Sequence, residues 1–153
     1  MEIWFYHLTH QPLDQTLPVL LERSMQRGWK AVVQATSDAR INALDDLLWT
    51  FSEESFLAHG TAQDGDGELQ QVYLTTGAEN PNAASVRFFV ESADIAPVIA
   101  HDADYQRVIL IFDGNDEPEL QSARGQWKVL KAQGRDLSYW RQNDNGGWEK
   151  IAL

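Results

Sequence analysis

Strands that alternate with helices predict an α/β sandwich whose sheet is mostly parallel, with some antiparallel pairing. Three observations carry this prediction. The apolar run at residues 3–8 leads into a helical pattern and then into a second strand-like run at 30–35, the order of a βαβ unit whose strands run parallel. A five-residue apolar run at 108–112 ends at Asp113-Gly114-Asn115-Asp116 and turns into a long helical pattern that begins near Pro118. Finally, 153 residues at 43% hydrophobic content are enough for one compact domain with a sizeable core, and no repeat, low-complexity tract or linker marks a boundary.

In chain order, residues 3–8 are apolar and aromatic, as a buried first strand requires, and Thr9-His10-Gln11-Pro12 breaks the strand before a helix over 13–27. Leu13, Leu17, Leu20, Leu21, Ser24 and Met25 give that helix an inward stripe, and Gly28 suits its C′ position. Thr36 or Ser37 can cap a second helix, in which Ile41, Leu44, Leu47, Leu48 and Phe51 recur at helical spacing beside Ala43 and Trp49. Residues 56–59 read as a short strand or extended segment, and 60–70, rich in Gly and Asp, as a surface loop. Strands at 72–75 and 86–90 flank the turn-rich Gly77-Ala78-Glu79-Asn80-Pro81-Asn82. The second of these alternates least and is expected to be fully buried. Residues 92–104 stay open between a broken helix and an irregular connection, because Pro97 and Asp102 interrupt the pattern. After Gly134, residues 137–141 and 148–152 flank Asn143-Asp144-Asn145-Gly146-Gly147, so a C-terminal hairpin or strap over about 137–153 is expected.

The charge is uneven along the chain. There are 12 Lys+Arg against 23 Asp+Glu, a net charge of −11. Residues 124–153 nonetheless hold six bases (Arg124, Lys128, Lys131, Arg135, Arg141, Lys150) and three acids (Asp136, Asp144, Glu149), which leaves six bases and twenty acids before them. An acidic ligand would be drawn to that end and repelled elsewhere. On a helix starting near Pro118, Arg124, Lys128, Lys131 and Arg135 fall at i, i+4, i+7 and i+11 in one stripe beside an apolar face of Leu120, Ala123, Trp127 and Leu130. A solvated face with cations near a helix C-terminus accounts for the same spacing.

Composition also excludes several classes. The acidity opposes an extended nucleic-acid surface, so direct sequence-specific DNA binding is not expected. The absence of cysteine rules out disulfides, thiolate zinc sites and a cysteine nucleophile, and fits a cytoplasmic protein. No apolar run approaches the ~20 residues of a membrane helix, and the chain opens directly on a strand, so a non-exported protein without membrane association is expected.

The sequence carries few signatures of catalytic chemistry. The first strand–helix turn lacks the glycines of a dinucleotide fingerprint, and the strand ending at Asp113 has no GxxxxGK[ST] loop to accompany it. His7 and His10 straddle a strand end at a spacing that points them to opposite faces, which disfavours a shared metal; no cofactor or metal site is expected. Ser55 and His59 stand close together, so an α/β hydrolase or nucleotide-binding enzyme with an unrecognised site is the enzymatic alternative.

Several strings, however, occur together and in order: Phe5-Tyr6-His7-Leu8, Arg27-Gly28-Trp29-Lys30, LDxxLWTFxxxSFxxHG from Leu44 to Gly60, and FDGxDxxxLxxARxQWK from Phe112 to Lys128. They resemble the chi subunit of bacterial DNA polymerase III holoenzyme over nearly the whole chain. The resemblance implies a Rossmann-like three-layer α/β domain and a non-catalytic adaptor. That adaptor links the clamp loader, through the psi subunit, to the acidic C-terminal tail of single-stranded DNA-binding protein, which ends in Pro-Phe with a free carboxylate. By the same resemblance, Arg124 and Lys128 are the basic pair and Trp127 the aromatic of the tail site. Lys131 and Arg135 join them only from the helical stripe, as electrostatic helpers. The psi-facing surface is implied to be hydrophobic, and Trp49, Phe51 and Phe56 stay open between core and interface. The acidic loop 64–68 and the chain past Gln142 depart from the family pattern and carry no implied role.

Overall fold

The computed structural model describes residues 1–50, 59–101, 104–145 and 147–152. Strand β1 (Glu2–Leu8) is followed by α1 (Leu13–Gln26), β2 (Ala31–Gln34), α2 (Asp38–Thr50), β3 (His59–Thr61), β4 (Val72–Thr75), β5 (Val86–Val90), the single-turn α3 (Ala96–Ile99), β6 (Arg107–Asp113), α4 (Glu117–Ala132), β7 (Asp136–Gln142) and β8 (Trp148–Ile151). The strands form one sheet in the order β3-β4-β2-β5-β6-β1-β7-β8, parallel throughout except for the last pair. The first two strands are parallel as expected, but they are not neighbours, because β5 and β6 lie between them.

Alternation along the inner strands makes the sandwich. Ile3 and Phe5 of β1, with Val108, Leu110 and Phe112 of β6, face α3 and α4 and pack with Ile95, Ile99, Ala123 and Leu130. Tyr6 and Leu8, with Ile109 and Ile111, face the other way onto Leu17, Leu20, Leu21, Leu44 and Leu48 of α1 and α2. A strand buried on both faces reads as a near-continuous apolar run, which is how β5 and β6 read in the sequence.

Several boundaries move for local reasons. Ser37 is the residue that caps α2, its Oγ accepting from Arg40 N at 3.2 Å. Gly60 and Thr61, expected in a loop, extend β3 at the sheet edge beside β4, and two tight 3-10 turns (Ala62–Asp64, Gly67–Leu69) follow. Phe51, Ser55 and Phe56 lie outside the described residues. The C-terminal residues form an antiparallel hairpin, β7–β8, and β7 also lies parallel against β1, so the hairpin extends the sheet. On its α1 side, Trp148 stacks on Tyr6 at 4.3 Å and Trp140 tilts against Trp4 at 5.0 Å.

All five β5 residues are buried, including Arg87 at 0% exposure. Its guanidinium donates to Gln34 Oε1 (2.6 Å), the carbonyls of Gly77 (2.7 Å) and Glu79 (2.9 Å), and Tyr105 Oη (3.2 Å). It thus ties the 77–79 turn to the sheet with neutral acceptors. Arg87→Met would strand these acceptors in the core, and each unsatisfied buried group costs about 1–3 kcal/mol. We expect a loss on the order of 3 kcal/mol, read as a lower urea midpoint at unchanged slope.

Candidate functional site

Helix α4 begins where Asp116 accepts from Glu119 N at 3.1 Å, with Pro118 in its first turn. From that start its turns present Ala123 and Leu130 to the core and leave Arg124 and Lys128 exposed, one turn apart. Trp127 is half-buried between them. Its ring meets Phe5 edge-on at 5.1 Å and Tyr139 at 5.8 Å, so it belongs to the core and lines the surface at once.

Beside this face lies a cleft of about 660 Å³. Its helix wall is Leu120, Arg124, Trp127 and Lys128, its floor is His7, Phe112 and Tyr139, and its opposite wall is Arg141 with Ile151 from the C-terminal hairpin. The sheet register explains the meeting: β1 and β7 pair with Phe5 opposite Tyr139 and His7 opposite Arg141, so these residues share the α4 face. His7 Nδ1 lies 2.6 Å from Tyr139 Oη, and its ring packs on Phe112 at 5.1 Å. A side chain at Gly114 would run into the His7 ring, so glycine there leaves room for it.

The cleft is cationic. Among the described residues Arg124, Lys128 and Arg141 make no ion pair or hydrogen bond, whereas Arg40 pairs with Glu91 and Asp14, and Arg107 with Glu2 at 3.0 Å. Burial pulls the His7 pKa down, Arg141 and more weakly Arg124 pull it further, and Asp113 opposes them. Burial raises the Tyr139 pKa, and the same two arginines counter it. Both arginines line the same cleft as the His7–Tyr139 pair.

Of the five residues named from the sequence, Arg124, Trp127 and Lys128 line this cleft; Lys131 and Arg135 do not. Lys131 is exposed farther along α4. Arg135 is off the helix: α4 ends at Ala132, Gly134 takes φ 74°, and Arg135 N turns back to Leu130 O at 3.1 Å, so the i+11 position does not continue the stripe. His7, Tyr139 and Arg141 escaped the sequence reading. Alternation does put Tyr139 and Arg141 on one side of a strand, but nothing local says that the strand pairs with β1.

A second crevice lies at the carboxyl ends of β1 and β6, whose following helices go to opposite faces, the usual ligand position in open α/β sheets. Here the amides of Thr9, His10 and Gln11 all donate to Gln142 Oε1, at 3.0, 3.1 and 3.2 Å. In nucleotide-binding open α/β sheets such loop amides hold a phosphate; here they are taken by the protein's own side chain. Glu119 lines the crevice, and its pKa is pushed up to about 7, chiefly by burial and then by nearby Asp116 and Glu91, against the hydrogen bond from Asp113 N. His10 pairs with Asp144 at 3.0 Å, away from His7, and no group of three potential metal ligands occurs among the described residues. The buried His59 lies 2.9 Å from Asp45, while Ser55 lies outside the described residues. No described helix is long and apolar enough to cross a membrane.

Comparison with known proteins adds two findings. A family model described as "DNA polymerase III chi subunit, HolC" matches residues 1–138. A protein of Rickettsia prowazekii (strain Madrid E) named "Probable DNA polymerase III subunit chi" is 27% identical over 150 residues, covering 96% of this chain and 90% of its own.

Two outcomes test the geometry. The folded Glu119 keeps a proton that the unfolded chain, with an ordinary value of 4.5, has already lost. Its contribution to stability is therefore full below pH 4.5 and disappears as pH rises through about 7. With a partly solvated carboxyl the gain should be on the order of 1 kcal/mol, flattened in Glu119→Gln, as read from urea midpoints across that range. Gly114→Ala should cost about 1–3 kcal/mol by overpacking against His7, and should weaken the His7–Tyr139 contact in histidine NMR spectra.

Proposed function

The chain belongs to the DNA polymerase III chi subunit family, whose model spans residues 1–138 of its 153, and we propose that it acts in DNA replication by reading the acidic C-terminal tail of single-stranded DNA-binding protein in the cleft beside α4. The observation that carries this reading is the set of three unpaired cations, Arg124, Lys128 and Arg141, around an aromatic floor in a chain of net charge −11. Three cations gathered around one cleft, with no carboxylate paired to them among the described residues, suit an external anion.

The tail's chemistry fits each part. The planar fork of Arg124 suits a terminal carboxylate through two parallel hydrogen bonds. Trp127, Tyr139 and Leu120 offer apolar surface for a phenyl ring, and Lys128 lies one turn along α4 for a preceding aspartate. Lys131 and Arg135 lie outside the cleft and act at longer range, drawing the acidic tail toward this end. On this reading the protein is a cytoplasmic adaptor without catalysis of its own, joined to the clamp loader by a psi subunit. Trp49, 58% exposed at the end of α2, offers an aromatic for that second contact.

Fluorescence titration of an acidic nonapeptide ending Ile-Pro-Phe tests the site. We expect micromolar-range binding that weakens with salt, falls roughly tenfold or more in Arg124→Ala, and is lost when the terminal Phe is removed. Absence of binding at low salt, or binding indifferent to Arg124, would overturn the reading.

A further inference from the structure

Resting on the reading that the cleft takes an acidic peptide, we propose that Arg141 is a second anchor for the peptide's acidic end, clamping it between α4 and the C-terminal hairpin, and that Glu149 tempers this hold. Arg141 lies beyond residues 1–138 that the family model matches, so the anchor belongs to a part of the chain the family match does not cover.

Four observations place it there. Arg141 lines the cleft from the wall opposite Arg124. Its register, opposite His7 of β1 and Glu149 of β8, puts its side chain on the α4 face. Its backbone is pinned by the next residue: buried Gln142 takes the three loop amides on Oε1, and its carbonyl accepts from Thr9 Oγ1 at 3.0 Å. Lastly, Arg141 makes no ion pair among the described residues, although it stands near the same His7–Tyr139 pair as Arg124.

An exposed ion pair made by one flexible arginine contributes little, because solvent screens it and the side chain must be ordered. Two guanidiniums fixed on different elements, either side of an apolar floor, can hold a terminal carboxylate and the acid preceding it together. The ligand class follows: an extended peptide with a free carboxyl end and at least one further acid within a few residues of it. Glu149 is exposed and opposes Arg141 across the hairpin, close enough to lower the local positive potential without forming an ion pair.

The test is fluorescence anisotropy of the labelled acidic peptide with the full chain, as wild type, Arg124→Ala, Arg141→Ala, Arg141→Lys, Glu149→Gln, the Arg141→Ala/Glu149→Gln double variant, and Lys131→Ala as a cation outside the cleft. We expect Arg141→Ala to weaken binding about 5–10-fold and flatten its salt dependence, with Arg141→Lys between it and wild type. Glu149→Gln should tighten binding about twofold, a gain that vanishes in the double variant because it acts through Arg141. If Arg124→Ala loses binding while Arg141→Ala stays within twofold of wild type, or of Lys131→Ala, the clamp is wrong and the peptide-reading cleft survives. If the wild type binds no peptide, both fall. Where Arg141→Ala unfolds, Arg141→Lys, which keeps the charge but not the planar fork, decides the matter: weaker binding than both wild type and Lys131→Ala upholds the clamp, and binding equal to theirs overturns it.

Discussion

The pairing of β1 with β6 on one side and β7 on the other is the contact on which both the core and the cleft depend. Its seven residues sit near the middle of the sandwich, sending Ile3 and Phe5 to one helix layer and Tyr6 and Leu8 to the other. Its last turn outward places His7 between Phe112 of β6 and the Tyr139–Arg141 pair of β7. A slip of one residue in either register would exchange the two faces and remove His7 and Arg141 from the α4 side. The cleft is thus a product of sheet register as much as of the helix that borders it.

The distribution of charge separates structural cations from available ones. Arg87 is spent inside the core on carbonyls and a side-chain amide, Arg40 sits between Glu91 and Asp14, and Arg107 pairs with Glu2 while lying over the Trp4 ring at 3.6 Å. Arg124, Lys128 and Arg141 have no such partner among the described residues. The six bases against twenty acids before Arg124 sharpen the contrast along the chain.

Gln142 links this cleft to the crevice at the strand ends. Open α/β sheets bind ligands at the strand ends where helices diverge, using free loop amides. Here those amides close on Gln142, which locks the end of β7 to the β1–α1 loop. The same bonds that fill the usual ligand position hold the backbone next to Arg141, whose side chain lines the other cleft.

By itself the sequence determined what depends on near neighbours. Apolar period placed β4 and β5 at their observed residues, Asp116 and Pro118 marked the start of α4, and helical spacing put Arg124, Trp127 and Lys128 on adjoining faces. The resemblance to the chi family was likewise legible in strings that stand as they are in the chain, and the family match agrees with it. Tertiary structure decided what depends on distant ones. Strand order set β5 and β6 between β1 and β2, and Gly134 took Arg135 off the stripe that simple periodicity had drawn. Arg87 went into the core because carbonyls eight and ten residues away turn back to meet it. His7 and Arg141, 134 positions apart, became neighbours only through β1–β7 pairing, whose free energy comes from backbone bonds and shared burial that no local pattern encodes.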